Sequence, residues 1–425
     1  MTTAPATYDV AVIGAGPAGI AAAACAAEAR RGARVVLVDE GFTPGGQIWR
    51  SRPGVTPPRA ARRWIERLAV SGAKARLGAS VVDVRRAGEG FRIDCESGGQ
   101  SVVFTAARLI LATGARERFL PFPGWTLPNV MGIGGAQALL KAGASFRGKR
   151  VVIAGSGPLM LPVAASLSSA GARLMLVAEQ APAVRVARFA ASLWKSPARL
   201  VQAALLRARF LGARYAMGTW VRSATGDTAI RAVTVTNGAH ERIVACDVLC
   251  AGFGLVPNSE LARLLGCAVD ERRVVVDEHQ ATTVAGVYCA GEPTGIGGVE
   301  RSLAEGEIAG LASMDAPVPA NMLARHETLR RYTRALADTF ALRDELRTLA
   351  TGDTVVCRCE DVKMRDLDPS WTARQAKLYT RAGMGACQGR ICGAALECVM
   401  RWSPDSVRPP IQPARVTSLL SEAIP

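Results

Sequence analysis

Residues 8–19 read Tyr-Asp-Val-Ala-Val-Ile-Gly-Ala-Gly-Pro-Ala-Gly. The apolar run 8–14 predicts a buried strand, and the small side chains of residues 18–30 predict a helix directly behind it. Gly32 ends that helix, and the apolar residues 34–38 predict a second strand. The order strand, glycine turn, helix, strand is that of a βαβ unit in a parallel sheet.

Three glycines in this stretch, Gly14, Gly16 and Gly19, form a dinucleotide-binding fingerprint. The first allows a tight turn, the second lets a pyrophosphate approach the helix N-terminus, and the third lets helix and strand pack closely. The fingerprint also needs a carboxylate at the end of the second strand to accept hydrogen bonds from ribose hydroxyls. Asp39 and Glu40 both stand there, and we predict Glu40 because it fits the strand alternation better.

The same arrangement recurs 141 residues later, within residues 150–179. A predicted strand leads into Gly155-Ser-Gly157, and a helix and a second strand follow. Glu179 ends that second strand, where a ribose carboxylate would favour NAD over NADP. Met160 replaces the third glycine, so whether this unit still binds NAD(P) stays open.

Composition limits the other functions that the chain could have. Its 425 residues suggest two to four domains, and 49% apolar with 21% charged residues exclude a disordered chain or a coiled coil. The net charge is +16, but the longest basic runs are pairs and aromatics are only 5%, which argues against nucleic acid as a partner. Anionic cofactors and an acidic partner surface are sufficient candidates for this charge, and a genomic bias toward arginine is the alternative explanation.

Eleven cysteines occur without a secretion signal or an uninterrupted apolar span, so we expect a cytoplasmic chain with reduced thiols. The segment 193–217 is apolar but carries five basic residues, which excludes a transmembrane helix, while peripheral membrane contact stays open. A disulfide reductase of this kind would need a redox-active cysteine pair, either after the Gly45-Gly46 motif or in the second nucleotide-binding unit. Residues 45–55 contain no cysteine, and Cys246 and Cys250 lie too far apart along one predicted strand to form a disulfide. Disulfide chemistry is therefore not predicted.

Four cysteines of the tail form two close pairs, Cys357-Arg-Cys359 and Cys387-x-x-x-x-Cys392. Four thiolates can hold an iron–sulfur cluster, and the glycines around the second pair would present N–H groups to its sulfurs. A structural zinc site is the rival, but its usual spacing is C-x-x-C in both pairs. We predict Cys357, Cys359, Cys387 and Cys392 as [2Fe-2S] ligands, with zinc or no metal as alternatives.

The chain resembles the glutathione-reductase-like flavoproteins, which have two dinucleotide-binding domains. The resemblance rests on both glycine loops and on Gly45-Gly46-Gln47, the strand end around Thr113-Gly114, and Gly291-Glu292. It implies FAD binding by Gly46, Gln47, Thr113, Gly114, Gly291 and Glu292. The residue matching Glu292 is usually Asp, so this chain departs from the class there.

The resulting architecture is α/β with two Rossmann-like domains and a small, mostly helical cluster domain. We predict an FAD-binding domain over residues 1–145 and 256–315, an NAD(P)-binding-type domain over 146–255, a helical linker over 316–353 and a [2Fe-2S] domain over 354–425.

From end to end, the layout is similar to one subunit of heteromeric amine dehydrogenases, a family with opine oxidases, hydroxyproline and proline dehydrogenases and hydrogen cyanide synthase. The tail string from Gly383 to Cys392 resembles the bacterioferritin-associated-ferredoxin-like [2Fe-2S] domain. The resemblance implies an electron-transfer subunit beside a D-amino-acid-oxidase-like flavoprotein subunit, and allows a further small ferredoxin-like subunit. The partner flavin would oxidise the amino or imino acid.

The residues themselves offer redox centres but no evident site for C–N oxidation. His240, His279 and His326 are each interpreted as solvated or structural, and the catalytic residues are unknown. Two other functions stay open: a self-sufficient NAD(P)H-dependent flavin oxidoreductase that passes electrons to the cluster, and a scaffold subunit without cofactors. Substrate, terminal acceptor, stoichiometry and direction of electron flow are not predicted.

Overall fold

The computed structural model of the chain describes residues 6–50, 55–404 and 406–419. These residues form two compact units. The first contains the described residues up to Arg116, Val256–Thr333 and residues 406–419, and the second contains Glu117–Leu255 and residues 334–404.

Helices and strands are interspersed along the chain, with long runs of consecutive strands over residues 74–132 and 214–257. The strands are β1 Ala6–Ile13, β2 Val35–Asp39, β3 Lys74–Leu77, β4 Ala79–Ala87, β5 Gly90–Ser97, β6 Gln100–Leu111, β7 Ala115–Glu117, β8 Val130–Gly132, β9 Arg150–Gly155, β10 Arg173–Glu179, β11 Arg214–Met217, β12 Trp220–Gly226, β13 Ile230–Thr236, β14 Glu241–Ala245, β15 Val248–Gly252, β16 Leu255–Pro257, β17 Val269–Asp270, β18 Arg273–Val274, β19 Val287–Cys289, β20 Val355–Cys357 and β21 Val362–Lys363. The α-helices are α1 Pro17–Ala29, α2 Arg59–Val70, α3 Ile133–Ala142, α4 Met160–Ser169, α5 Ala183–Ser192, α6 Pro197–Ala208, α7 Glu260–Leu264, α8 Gly298–Ala312, α9 Ala320–Thr339, α10 Ala373–Thr380, α11 Cys392–Met400 and α12 Val416–Leu419. Single 3₁₀ turns cover Leu193–Lys195, Glu292–Thr294, Asp344–Thr348 and Met364–Asp366.

The first unit is built on a seven-stranded sheet in the order β3-β2-β1-β6-β5-β4, with β19 also paired to β6. Strands β3, β2, β1, β6 and β19 are parallel, whereas β4 and β5 add an antiparallel ribbon. Small side chains let α1 and α8 lie almost in contact: a Cβ at Gly306 would overlap the carbonyl of Ala18. The first glycine loop therefore rests on a rigid sheet-and-helix base.

The second unit repeats the parallel core as a five-stranded sheet in the order β11-β10-β9-β15-β8. A three-stranded antiparallel sheet, β12-β13-β14, extends it, and the hairpin between β13 and β14 turns at Asn237-Gly238. Residues 117–145, which the sequence analysis placed in the FAD domain, lie in this unit because β8 pairs with β15.

The cysteine-rich tail also belongs to the second unit. Its own core surrounds Val356, Leu396 and Trp402. Leu346, Leu349 and Ala395 join the core beneath the three-stranded sheet, and the indole of Trp125 donates to the carbonyl of Val355. The ribbon β20-β21 and helices α10 and α11 make up the tail, which has less helix than the sequence predicts.

Two further features differ from or add to the sequence picture. In the helical linker predicted over residues 316–353, helix α9 ends at Thr339, and residues 340–343 have no regular structure before the 3₁₀ turn at Asp344. Within the described residues, no helix is long and apolar enough to cross a membrane.

Candidate functional site

The first glycine loop joins β1 to α1. Gly14 has φ +108°, and a Cβ at Gly19 would overlap the Gly14 carbonyl, so both positions require glycine. Gly16 is the N-cap of α1, with no side chain capping that end. The free N–H groups of this first turn face the position at which a pyrophosphate binds in such units.

Asp39 and Glu40, the two candidate ribose carboxylates, take different roles. Asp39 accepts hydrogen bonds from the N–H of Ala15 at 2.5 Å and of Gly41 at 2.7 Å, so it braces the loop from within. Glu40 is exposed. Of the two, Glu40 keeps its carboxylate available for ribose hydroxyls, and its role stays a prediction.

The other predicted FAD residues also lie around this loop or at neighbouring strand ends. The Gly45 N–H donates to the Ala15 carbonyl at 2.8 Å, and a Cβ at Gly46 would lie 3.0 Å from the Gly16 Cα. Gln47 follows directly in the chain. The sequence motif Gly45-Gly46-Gln47 is therefore packed against the first fingerprint, as the resemblance implies.

The strand end at Thr113-Gly114 is tied to Asn258. The Thr113 hydroxyl donates to the Asn258 carbonyl at 2.6 Å, and the Asn258 side chain donates back to the Thr113 carbonyl at 2.9 Å. The N–H of Asn258 donates to the Gly114 carbonyl at 3.0 Å. The hydrogen of the Thr113 hydroxyl is therefore already donated within the protein.

Glu292 has one paired and one unpaired carboxylate oxygen. Its Oε1 accepts from the Gly298 N–H at 2.9 Å, while the buried Oε2 has no hydrogen-bond partner among the described residues. Burial raises the pKa of this carboxyl, and the N–H groups of Gly298 and Gly297 oppose the shift. An unpaired buried oxygen of this kind is suited to a ligand hydroxyl.

Next to Gly291 lies a buried charged network that the sequence did not reveal. Glu305, which is 1% exposed, accepts from the Gly291 N–H at 2.8 Å and the Thr294 hydroxyl at 2.7 Å. It also pairs with Arg301 at 2.7 Å and His326 at 3.0 Å. His326, interpreted from the sequence as solvated or structural, is 5% exposed because α9 turns it toward this carboxylate.

In the second unit, Glu179 corresponds structurally to Asp39 rather than to Glu40. A register shift in β10 between Leu174 and Leu176 pairs Glu179 with Gly155. Glu179 is fully buried and accepts from the N–H groups of Gly157 at 2.9 Å and Ala181 at 2.8 Å. Burial raises its pKa to about 7, against these backbone hydrogen bonds. The predicted ribose ligand therefore braces its own glycine loop.

The next residue, Gln180, is bonded to the chain's own residues 340–343. Its side-chain nitrogen donates to the carbonyl of Ala341 at 3.1 Å, and its side-chain oxygen accepts from the Arg343 N–H at 3.2 Å. The hydroxyl of Ser156, inside the glycine loop, donates to the Phe340 carbonyl at 2.8 Å. Residues 340–343 thus cover the strand end and loop where a dinucleotide would lie.

Side chains hold this 340–343 segment from both ends. The ring of Phe340 packs edge-on against Phe189 with centroids 6.1 Å apart. The Arg343 guanidinium lies 3.7 Å above the ring of Trp220.

Met160, which replaces the third glycine of the second loop, is fully buried. Its side chain packs in the core between α4 and the sheet.

The four tail cysteines come together in one cluster. The Cys392 thiol donates to the Cys357 sulfur, and this hydrogen bond lowers the pKa of Cys357 to about 5. The Cys359 thiol donates a hydrogen bond to the Cys387 sulfur. The Gly383 N–H donates to the Cys357 sulfur at 3.4 Å. Cys357 and Cys392 are buried, Cys387 is half-buried and Cys359 is exposed.

Glycines allow this approach, since a Cβ at Gly385 would overlap that of Cys359. The thiols form hydrogen bonds with one another. Across residues 6–50, 55–404 and 406–419, no group of three or more His, Cys, Asp or Glu is placed so that it could hold a metal ion. All eleven cysteines are free thiols, and Cys398 packs against the core beneath the three-stranded sheet.

Comparison with known proteins agrees with this architecture. The sequence matches the pyridine nucleotide-disulphide oxidoreductase family over residues 8–306, which include both glycine loops. The chain belongs to this family. The family match confirms the predicted Rossmann-like α/β fold and an FAD-dependent oxidoreductase, and it supports binding of FAD and NAD(P) as a class.

Individual relatives extend the match over the tail. One of the opine oxidase subunits of Agrobacterium tumefaciens (strain Ach5) is 31% identical over 97% of this chain and 91% of its own length. Hydrogen cyanide synthase subunit HcnB of Pseudomonas aeruginosa is 33% identical over 90% of each chain. The crystal structure of L-proline dehydrogenase from P. horikoshii shares the fold at 22% identity and a TM-score of 0.68, covering 99% of this chain and 80% of that one.

The predicted resemblance to heteromeric amine dehydrogenase subunits is therefore confirmed. Sequence reasoning missed Glu305, Gln180 and the 340–343 segment. A buried Glu with Arg four residues earlier gives a weak helical signal, but nothing near Gln180 indicates a partner about 160 residues away.

Proposed function

We propose that this chain is the FAD- and [2Fe-2S]-containing electron-transfer subunit of a multi-subunit amino or imino acid dehydrogenase. It would relay electrons from a partner flavoprotein subunit of the D-amino-acid-oxidase type to an external acceptor, in the cytoplasm. The substrate would be an opine, hydroxyproline or proline, or glycine. The relatives from opine oxidase and hydrogen cyanide synthase are themselves named as subunits, which supports the heteromer.

The first unit fits FAD. The open N–H groups behind Gly16, the exposed carboxylate of Glu40 and the unpaired oxygen of Glu292 provide for a pyrophosphate and for hydroxyl groups. The tail fits a cluster through its four grouped thiols, two of them buried. When bound, FAD exchanges electron pairs and a [2Fe-2S] cluster exchanges single electrons, which suits the two to an electron relay.

The observation that carries this proposal is the gathering of Cys357, Cys359, Cys387 and Cys392 in a flavoprotein whose second nucleotide position is covered. Closure by residues 340–343 disfavours the alternative, a reductase that takes its electrons from NAD(P)H. The histidines offer no acid–base site either: His326 is tied to Glu305, His240 is exposed and His279 is half-buried in a loop.

The cluster is tested by metal and flavin content of the purified full-length chain. We expect iron and acid-labile sulfide in equal amounts, about two each per chain, together with FAD. Cys387→Ser should lose the iron and keep the FAD, whereas Cys398→Ser, a cysteine outside the cluster, should keep both. Zinc in place of iron would refute the [2Fe-2S] assignment, and a colourless chain would favour a scaffold subunit.

The relay is tested by supplying amino and imino acids with an artificial electron acceptor. The chain alone should leave them unchanged, and the complex with its co-expressed flavoprotein subunit should oxidise one of them. Turnover by the lone chain would overturn the relay, and bleaching of its flavin by NADH would favour the reductase.

A further inference from the structure

Helices α5 and α6 of the second unit expose apolar side chains. Neither helix has a buried residue. Five large apolar side chains on or beside them are between 56% and 71% exposed: Val184, Trp194, Val201, Leu205 and Leu211. Ordinary surface helices show polar residues outward and apolar residues inward.

In α6 apolar side chains lie on both sides of the helix. Val201 and Leu205 lie one turn apart and are exposed together with Ala198, Ala204 and Ala208, whereas Leu200, Ala203 and Leu206 are half-buried on the opposite side, beside Arg199 and Arg207. The Arg207 guanidinium donates to the carbonyls of Phe210 and Ala213. Besides its inner face, α6 therefore has a second apolar face that is exposed.

Charge around these helices has a single sign. Residues 180–214 contain seven basic and no acidic residues. Arg185, Arg188, Arg209 and Arg214 are exposed, and among the described residues none of these four has a carboxylate partner. We name the five large apolar side chains and these four arginines the α5–α6 face.

We propose that the α5–α6 face binds an anionic lipid surface, with its apolar side chains entering the headgroup boundary and its arginines pairing with lipid phosphates. Paired apolar and basic groups on surface helices are the combination that seats a helix in the plane of a membrane interface. Tryptophan is enriched at that depth because its ring is amphipathic. Helices of ten and twelve residues would lie about 15 and 18 Å along the surface.

Other occupants are less favoured: an acidic protein surface would match the sign of the charge, but it places further demands on geometry. A second copy of the chain would bring seven basic residues against seven. A protein partner would need acidic groups placed opposite each exposed arginine, whereas anionic lipids diffuse laterally and provide the counter-charge without fixed positions.

The test is cosedimentation of the full-length, flavin-containing chain with phosphatidylcholine vesicles that contain 30% or no phosphatidylglycerol. We expect binding to the anionic vesicles at about 50 mM NaCl and release at about 500 mM NaCl, because headgroup attraction is screened. Arg185→Gln with Arg188→Gln should weaken binding about 30-fold. Trp194→Ser with Leu205→Ser should weaken it on the order of tenfold or more.

Val70→Ser with Ile243→Ser is the matched control, since these side chains are 84% and 74% exposed outside the α5–α6 face. This variant should bind like the wild type, and flavin content and melting temperature verify that all variants are folded. Absence of binding to anionic vesicles at low salt would overturn the proposal, and so would equal loss in the control. If the Trp194 and Leu205 variant instead loses only a co-expressed protein subunit, the face is a subunit interface and the lipid assignment is wrong.

Discussion

Replacing Glu305 by alanine should destabilise the first unit more than any surface change. The carboxylate is 1% exposed and receives four hydrogen bonds, from Gly291, Thr294, Arg301 and His326. Its removal leaves the Arg301 guanidinium, whose side chain is 11% exposed, without a counter-charge. The Gly291 N–H, which is part of the predicted FAD loop, loses its acceptor as well.

The size of the effect follows from these contacts. Removing one partner of a buried ion pair costs about 3–5 kcal/mol, because the other charge stays buried. For a unit of this size, about 1 kcal/mol lowers the melting temperature by about 2–4 °C, so we expect a decrease of about 6–20 °C. Glu305→Gln keeps the volume and one acceptor, and should cost less than the alanine variant.

The pH dependence provides a second signature. Burial raises the pKa of Glu305, but the His326 hydrogen bond and the Arg301 charge outweigh it and leave the pKa below its ordinary 4.5. A carboxyl whose pKa is lowered by folding stabilises the fold above its unfolded pKa and loses that effect as the pH falls. The difference between wild type and Glu305→Ala should therefore be full at pH 7 and shrink below about pH 4.5.

Thermal unfolding followed by flavin fluorescence, in excess FAD, measures both effects. Asp227→Ala is the control, since it breaks an ion pair with Arg231 in which both side chains are more than 70% exposed, and it should shift the melting temperature by about 1 °C at most. A Glu305→Ala shift as small as that of Asp227→Ala, or one unchanged with pH, would refute the role given to the network.

Three further predictions concern the two nucleotide positions. Glu292→Ala should lower the ratio of FAD to protein after gel filtration, since the unpaired oxygen is removed, and wild-type retention would contradict its role as a ligand. Anaerobic NADH at about 1 mM should leave the flavin spectrum of the chain unchanged because residues 340–343 cover the second glycine loop, and bleaching within minutes would show that they do not. Folding raises the pKa of Glu179 to about 7, so the second unit should lose up to about 3 kcal/mol of stability as the pH rises from about 4.5 to 7. The Glu179→Gln variant lacks this carboxyl, and a melting temperature that falls as steeply with pH in this variant as in the wild type would disprove the prediction.

Local patterns predicted most of the fold and the place of the first site. The glycine loops and the two close pairs of tail cysteines are short-range patterns that the sequence itself displays. The role of Glu179 could not be predicted, because a single register shift in β10 moves it inward by one position. The end of α9 at Thr339 was equally hidden, since it depends on acceptors for Ser156 and Gln180 about 160–184 residues away.

The cover over the second glycine loop affects how related sequences should be interpreted. A strand, a glycine turn and a terminal acid are together a sound signature of the architecture, yet here backbone carbonyls of the chain itself accept hydrogen bonds from Ser156 in the second loop and from Gln180 behind it. The fingerprint therefore predicts the fold of such a unit, and it leaves open whether the loop faces a nucleotide or another segment of the same chain. In related sequences the residue after the terminal acid is worth inspecting, because a glutamine there can bond to backbone as Gln180 does.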